Sequence, residues 1–191
     1  METDAAPLTT DEIEAIALRI HRPIVLVGMM GVGKSSVGKR LAAALHCPFI
    51  DADVEIEKSA QMTIPEIFET FGEDYFRDGE RRVIARLIDN DDDRKVIATG
   101  GGAFCNPRTR ALILERTIAV WLDSDIETLL ERTSRKDDRP LLKQGDPREV
   151  LIRLRNERRP HYSQAPVHVM SSDGPHSRTV AKVLKGIEEW L

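Results

Sequence analysis

The segment IVLVGMMGVGKS, residues 24–35, joins a short apolar run to a glycine-rich loop of the form G-x-x-x-x-G-K-[ST]. Between a strand and a helix, this pattern is typical of loops that bind nucleotide phosphates, because glycines let successive backbone N–H groups point at one phosphate. The predicted nucleotide-binding residues are Gly28, Gly31, Val32, Gly33, Lys34, Ser35 and Ser36. Lys34 would place its charge at the β- and γ-phosphates, and the Ser35 hydroxyl would coordinate Mg²⁺.

Beyond this segment, short apolar runs alternate with stretches of helical periodicity. The predicted strands are Ile24–Val27, Pro48–Ile50, Val96–Ala98, Ile118–Leu122 and Val167–Met170. Because they are mostly apolar throughout, we expect them to be buried on both faces. One helix is expected to begin at a capping box formed by Thr63 and Glu66 and to end at Gly72. The alternation predicts right-handed parallel crossovers and a three-layer α/β domain of about five strands.

Residues 1–22 are predicted to form an N-terminal extension, followed by one domain over residues 23–191. Residues 1–10 are small and polar, which is typical of a mobile arm. Thr9 and Glu12 match a capping box, and apolar residues follow at helical spacing. The extension is therefore expected to contain a short amphipathic helix that packs on the domain or contacts a partner.

Length and composition exclude several classes of protein. The 191 residues, 41% apolar and 31% charged, fit one globular domain. A net charge of −4 and a pI near 5.8 argue against a nucleic-acid partner. The cysteines lack the spacing of a zinc site, no apolar run is long enough for a membrane span, and the N-terminus does not resemble a signal peptide. We expect a cytoplasmic monomer that binds neither nucleic acid nor membrane.

Two carboxylates, Asp51 and Asp53, directly follow the second predicted strand. At the carboxyl end of a parallel strand, side chains spaced i, i+2 can share a face that looks toward the phosphate loop. One could hold Mg²⁺ while the other orients or deprotonates an acceptor hydroxyl. The alternative is that one of them only caps a helix.

A glycine run, Gly100 to Gly102, follows the third predicted strand. Consecutive glycines lose much conformational entropy on folding, so we expect the backbone there to approach a ligand closely. The alternative is a plain tight turn into a helix near Pro107.

The stretch SRKDDRPLLKQGD, residues 134–146, is too polar for a core element and is flanked by predicted helices. It is predicted to be a mobile lid over the site.

Three arginines stand in settings that are not obviously solvated helix faces: Arg77, Arg139 and Arg158. A guanidinium group is well suited to grip a carboxylate or a transferring phosphoryl group. Arg158 and Arg159 directly precede Pro160, which predicts that a helix ends there. A cation at a helix C-terminus would explain one of these two arginines without any ligand.

Together and in order, these motifs closely resemble the shikimate kinases, a family of P-loop kinases related to the nucleoside monophosphate kinases. The matching motifs are GMMGVGKSS from residue 28, FIDAD from 49, FGEDYFR from 71, TGGG from 99, RPLL from 139 and ERRPHY from 157. The resemblance implies a five-stranded parallel sheet of order 2-3-1-4-5 with a moving lid. It also implies ATP-dependent phosphorylation of the shikimate 3-hydroxyl, giving shikimate 3-phosphate and ADP, in chorismate and aromatic amino-acid biosynthesis. The N-terminal extension has no counterpart in the family pattern.

The resemblance also implies catalytic and metal-binding roles. The implied catalytic residues are Lys34, Asp53 and Arg139. Asp53 would bond the shikimate hydroxyls near the phosphorylated oxygen, and Arg139 would move in with the lid. Asp51 and Ser35 would hold the cofactor Mg²⁺, with ATP as the co-substrate.

Substrate-binding roles follow from the same resemblance. The residues implied to bind shikimate are Asp53, Arg77, Gly100, Gly101, Gly102, Arg158, Phe68, Phe76 and Glu80. Arg77 and Arg158 would clamp its carboxylate, and Glu80 would orient Arg77. Arg132 would pack on the adenine, with residues 173–175 on its other side.

Other functions stay open at this point. Another small-metabolite P-loop kinase, of the gluconate or nucleoside monophosphate type, would share the phosphate loop. The joint presence of the carboxylate pair, the glycine run and the arginines distinguishes the two, since paired arginines suit a carboxylate acceptor. A nucleotide-dependent switch is a further alternative, but the Asn-Lys-x-Asp pattern that reads guanine is absent from the sequence. The basic cluster at residues 153–159 could indicate RNA binding, although its helical spacing and acidic neighbours favour a solvated face.

Overall fold

The structure, a computed structural model, describes residues 8–90, 94–134, 145–171 and 174–191. Its centre is a parallel sheet with strands β1 (Ile24–Val27), β2 (Phe49–Asp51), β3 (Val96–Ala98), β4 (Ile118–Asp123) and β5 (Val167–Met170). The strands lie in the order β2-β3-β1-β4-β5. The predicted α/β class and sheet order are therefore confirmed.

Helices connect and cover these strands. They are α1 (Thr10–Arg19), α2 (Lys34–Ala44), α3 (Ala52–Ala60), α4 (Ile64–Phe71), α5 (Glu73–Asp89), α6 (Pro107–Arg116), α7 (Ile126–Ser134), α8 (Pro147–Tyr162) and α9 (His176–Trp190). The connections from β1 to β2 and from β3 to β4 run in opposite directions along the sheet. Right-handed crossovers therefore put α2 and α6 on opposite faces, which gives the predicted layers.

Burial of the strands follows their place in the sheet. Every residue of β1, β3 and β4 is buried, as predicted. The same prediction is wrong for the edge strands, because β2 is only partly buried and β5 alternates between buried and exposed residues. His168 and Met170 of β5 face away from the core. At the edge of the sheet, one face of the strand is left without a covering helix.

Helix α1 forms as the capping box predicts. The Glu12 N–H donates to the Thr9 hydroxyl at 3.3 Å, and the Thr9 N–H donates to the Glu12 carboxylate at 2.7 Å. Ile16 and Ile20 are buried in the main core. The predicted mobile arm is wrong in its last residues, because Thr9 caps the helix and Thr10 begins it. Residues 1–7 lie outside the described part of the chain.

The segment after β2 contains one helix more than the periodicity indicates. Helix α4 has the predicted capping box of Thr63 and Glu66 and ends at Gly72. Helix α3 was not predicted, because only Ala52 and Ile56 of its residues are buried and no apolar stripe marks it. Its start is nevertheless capped by Asp51, as the alternative for this carboxylate suggested.

Helix α8 runs through Pro160 to Tyr162, so the prediction that it ends at Arg159 is wrong. Proline removes one N–H donor, here the donor to the carbonyl of Asn156. Both Asn156 and Pro160 are exposed, so water can satisfy that carbonyl. The final turn is closed by the Ser163 N–H, which donates to the Arg159 carbonyl at 2.9 Å.

The flanks of the predicted lid are helical. Ser134 ends α7, and Asp146 caps α8. Residues 135–144 of the predicted lid lie outside the described part of the chain. Within the described ranges, no helix combines the length and apolar character that a membrane crossing requires.

Candidate active site

The phosphate loop between β1 and α2 depends on its glycines. Gly28, Gly31 and Gly33 have φ angles of +139°, +80° and +99°, which residues with a side chain rarely adopt. A Cβ on Gly31 would also lie 2.7 Å from the Thr133 side chain, and a Cβ on Gly28 would collide with the Leu122 carbonyl oxygen. The neighbouring elements therefore fix the loop as the sequence pattern requires, with the N-terminus of α2 at its end.

Lys34 and Ser35 are the first residues of α2. The Lys34 ammonium donates to the carbonyl oxygens of Gly28 at 2.8 Å and Met29 at 2.9 Å, which holds it against the loop. The Ser35 hydroxyl donates to Oδ2 of Asp51 at 2.8 Å. A hydroxyl and a carboxylate oxygen at this separation are the hard oxygen ligands that Mg²⁺ prefers.

Asp51 serves two purposes in the fold. Its Oδ1 accepts a hydrogen bond of 3.1 Å from the Asp53 N–H and so caps α3, while its Oδ2 faces Ser35. The capping alternative is therefore confirmed for this carboxylate, and its other oxygen faces the hydroxyl with which it is predicted to hold Mg²⁺. The shared position follows from topology, since β1 and β2 are parallel and their carboxyl ends meet at one edge of the sheet.

A cavity of about 660 Å³ opens above the phosphate loop, and we call it the P-loop cavity. Lys34, Ser36 and both carboxylates line it. Arg132 of α7 also lines it, and its guanidinium donates to the Val32 carbonyl at 3.3 Å.

His176, the first residue of α9, lines the P-loop cavity and was not among the predicted site residues. A lone histidine without ligand spacing carries no motif by which it could be found. Burial lowers the pKa of His176 below its ordinary value, and the charges of Arg40 and Arg132 lower it further. The imidazole therefore tends to be neutral in this cationic setting.

A second cavity, of about 170 Å³, lies between α4, α5 and the glycine run, and we call it the arginine cavity. The predicted residues that line it are Asp53, Phe68, Phe76, Arg77, Glu80, Gly100, Gly101, Gly102 and Arg158. The structure thus brings together residues from distant parts of the sequence. Met30 and Ile64 line it as well and were not predicted, since Met30 fills a variable slot of the loop motif and Ile64 carries no chemical signal.

The two cavities meet at Asp53. Met30, Asp53, Gly100 and Gly101 line both of them. Burial raises the pKa of the Asp53 carboxyl, the nearby Asp51 carboxylate raises it further, and Lys34 opposes the rise. A carboxylate at this junction can contact a group bound on either side.

Arg77 projects from α5 into the arginine cavity and is held by its neighbours. Its Nη1 lies 2.7 Å from Oε2 of Glu80, a carboxylate that is only 1% exposed. Burial raises the pKa of Glu80, and the positive charge of Arg77 opposes the rise. The guanidinium carbon lies 5.1 Å from the ring centre of Phe76 and 6.0 Å from that of Phe68, within the range of cation–π attraction.

The glycine run fits tightly between these groups. A Cβ on Gly102 would lie 2.7 Å from the guanidinium carbon of Arg77, and a Cβ on Gly101 would lie 3.1 Å from Nη1 of Arg158. The run leads into a 3₁₀ turn, Ala103–Cys105, so it is a turn as well as a cavity wall. Side chains here would displace the arginines, which explains the need for glycine.

Arg139 and residue 173 lie outside the described part of the chain. The other predicted site residues lie in the phosphate loop or line one of the two cavities. This arrangement can place a phosphorylated ligand beside a small anionic molecule that two guanidinium groups hold.

Comparisons with known proteins agree with this geometry. The model of the shikimate kinase family matches residues 30–188. A shikimate kinase of Novosphingobium aromaticivorans is 64% identical over 193 residues, covering 100% of both chains. A shikimate kinase of Rhodopseudomonas palustris is 50% identical, covering 99% of this chain and 92% of that protein. The structure of a shikimate kinase from Acinetobacter baumannii in complex with shikimate has a TM-score of 0.80 at 35% identity, covering 95% of this chain and 98% of that one.

Proposed function

Because the chain belongs to the shikimate kinase family, we propose that its joined cavities carry out ATP-dependent phosphorylation of the shikimate 3-hydroxyl, giving shikimate 3-phosphate and ADP. One observation carries this assignment to individual residues: Asp53, Arg77 and Arg158 line a single cavity that opens into the P-loop cavity. The reaction belongs to the shikimate pathway to chorismate and the aromatic amino acids.

The P-loop cavity would bind ATP. The backbone N–H groups of the loop and the Lys34 ammonium would neutralise the β- and γ-phosphates. Ser35 and Asp51 would hold Mg²⁺, which supplies further charge neutralisation when bound. Arg132 would pack on the adenine, opposite the loop that precedes α9.

The arginine cavity would bind shikimate. Arg77 and Arg158 would clamp its carboxylate, since each guanidinium group presents a planar pair of donors. Glu80 would keep Arg77 in place, and Phe68 and Phe76 would pack against the ring. The cavity of about 170 Å³ has the size of a small cyclic acid.

Asp53 would act where the two ligands meet. Its carboxylate would align the acceptor hydroxyl with the γ-phosphorus and accept its proton as the phosphoryl group moves. Lys34 and Arg139 would offset the charge on the transferring group. Closure of residues 134–146 over bound shikimate would exclude water and prevent hydrolysis of ATP. We propose, as the sequence predicts, that the enzyme acts as a cytoplasmic monomer.

An assay of ADP release with and without shikimate tests this function. We expect rapid release with ATP, Mg²⁺ and shikimate, and slow release when shikimate is omitted or replaced by gluconate or a nucleoside monophosphate. Equal rates with and without shikimate would contradict the assignment. Faster release with gluconate would favour the other small-metabolite kinase instead.

A further inference from the structure

Tyr162 lies one helical turn after Arg158, at the end of α8. Residues spaced i, i+4 share one face of a helix, and α8 keeps this spacing because it continues through Pro160. Both side chains reach Gly101. The Tyr162 hydroxyl donates a hydrogen bond of 2.5 Å to the Gly101 carbonyl oxygen, and Nη1 of Arg158 lies 3.1 Å from the position that a Cβ on Gly101 would take.

The Tyr162 side chain is buried in the protein interior. Tyr162 is 1% exposed, and its ring centre lies 6.0 Å from that of Trp121 in β4. Burial raises the pKa of Tyr162 above its ordinary range, although the charge of Arg158 opposes the rise. The hydroxyl therefore keeps its proton and remains a donor to the carbonyl. The Cys105 thiol, 4.0 Å from the same oxygen, is a weak donor and does not replace it.

Gly101 is the middle residue of the glycine run and lines both cavities. A Cβ built on it would lie 3.1 Å from Nη1 of Arg158 and 3.5 Å from the Met30 backbone nitrogen. The backbone at Gly101 thus lies close to both Arg158 and the phosphate loop. A small shift of the Gly101 backbone would change the position of a bound acceptor relative to a bound nucleotide.

We propose that Tyr162 is a positioning residue: its hydroxyl fixes the Gly101 carbonyl and thereby sets the glycine run between bound shikimate and bound ATP. This inference rests on the proposed function. Tyr162 lines neither the arginine cavity nor the P-loop cavity, so it acts without touching either substrate. Transfer rates respond to small misplacements of the reacting groups, so the hydroxyl is expected to matter for kinetics as well as for stability.

The test compares Tyr162→Phe, which removes only the hydroxyl, with Ile187→Val. Ile187 is fully buried in α9, a helix that packs on β5, α2 and α1, and its truncation lowers Tm. We expect Tyr162→Phe to lower kcat/KM for shikimate about tenfold, the effect of losing one buried hydrogen bond, and to change KM for ATP by less than about twofold. Ile187→Val should keep both constants. Equal kinetics in the two variants would overturn the proposal.

A second measurement does not depend on the folding of Tyr162→Phe. The sequence has two tyrosines, Tyr75 and Tyr162, and Tyr75 is 52% exposed. In a Tyr75→Phe protein labelled with 3-fluorotyrosine, a single ¹⁹F signal reports on Tyr162. We expect shikimate to shift this signal, because the clamp residue Arg158 adjoins the phenol. An unchanged signal in a protein that binds shikimate would overturn the proposal.

These outcomes are separable from failure of the proposed function. Loss of shikimate-dependent ADP release in the unmodified protein would refute the kinase assignment. An active unmodified enzyme with an unaffected Tyr162→Phe variant would refute only the role of Tyr162.

Discussion

The Ser35 hydroxyl and Oδ2 of Asp51 lie 2.8 Å apart, which links the first turn of α2 to the N-cap of α3. Asp51 places a negative charge beside the phosphate loop and also caps α3. A substitution that keeps the cap and removes the charge separates these two contributions. Asn is as good an N-cap as Asp but lacks the charge. We expect Asp51→Asn to raise the Mg²⁺ concentration for half-maximal activity about tenfold or more while Tm stays within about 2 °C.

The control for this prediction is Asp51→Ala, which loses both contributions and should cost a further ~1 kcal/mol of stability. Titration of activity with Mg²⁺ and thermal unfolding measure the two effects. A normal Mg²⁺ dependence in Asp51→Asn would remove this carboxylate from the metal site.

Arg158→Lys should weaken shikimate binding specifically. Lysine keeps the charge but cannot present the planar pair of donors that a carboxylate accepts. We expect KM for shikimate to rise about 10- to 100-fold, the range for a lost charge-assisted hydrogen bond, with KM for ATP nearly unchanged. Arg153→Lys on the exposed part of the same helix is the matched control and should behave as wild type. An equal rise in both KM values would argue against the clamp.

Gly102→Ala should displace Arg77. The backbone of Gly102 is in the right-handed helical region, so alanine adds no backbone strain, but its Cβ would lie 2.7 Å from the guanidinium carbon. We expect KM for shikimate to rise about tenfold, since the clamp loses one well-placed donor pair. Steady-state kinetics with shikimate as the varied substrate measures the effect.

Gly79→Ala is the control for this substitution. Gly79 lies inside α5, and a Cβ there would meet no atom within 4 Å. It should leave the kinetics unchanged and stabilise the protein by about 0.5–1 kcal/mol, because alanine loses less backbone entropy in a helix. A Gly102→Ala enzyme with an unchanged KM would show that Arg77 does not need its present position.

Asp53→Asn should lower kcat and raise Tm. If Asp53 orients or deprotonates the hydroxyl, kcat should fall by about 10²-fold or more. The same change removes a partly buried negative charge beside Asp51, so Tm should rise, by about 2–4 °C if the relief is roughly 1 kcal/mol. Single-turnover kinetics and thermal unfolding measure the two results. An unchanged kcat would exclude the catalytic role.

His176 should make stability depend on pH. Its pKa in the folded protein is lowered, so between that value and its ordinary value the unfolded chain binds more protons. Stability therefore rises with pH through this window and is lost on acidification. We expect Tm to fall more between about pH 8 and pH 5.5 in the wild type than in His176→Asn. Equal falls in Tm would mean that the cationic surroundings do not act on this histidine.

The sequence predicts local features of the site better than long-range ones. The phosphate loop is visible because its strand, glycines and helix are contiguous between Ile24 and Ser35. The capping boxes at Thr9 and Thr63 are also local signals, and both are present. By contrast, residues alone left the role of Asp51 open between cap and ligand, because its contact with Ser35 depends on the order and direction of the strands in the sheet.

Features that depend on tertiary packing were missed or misread. No sequence motif marks Met30 or His176 as a site residue. Each lines a cavity only because other elements pack around it. Proline usually ends a helix at the preceding residue, but α8 continues past Pro160, and the carbonyl of Asn156 that loses its donor is exposed to water. Arg77 and Arg158 could be paired beforehand only through the resemblance to a family.

The shared wall at Asp53 and Gly100 has a consequence for inhibitor chemistry. A compound that joins an adenosine phosphate to a cyclic carboxylic acid by a short linker could enter both cavities at once. Binding of one half would raise the effective concentration of the other, so the linked molecule should bind far more tightly than either part. The linker would have to pass Asp53 and the glycines, because these residues line both cavities.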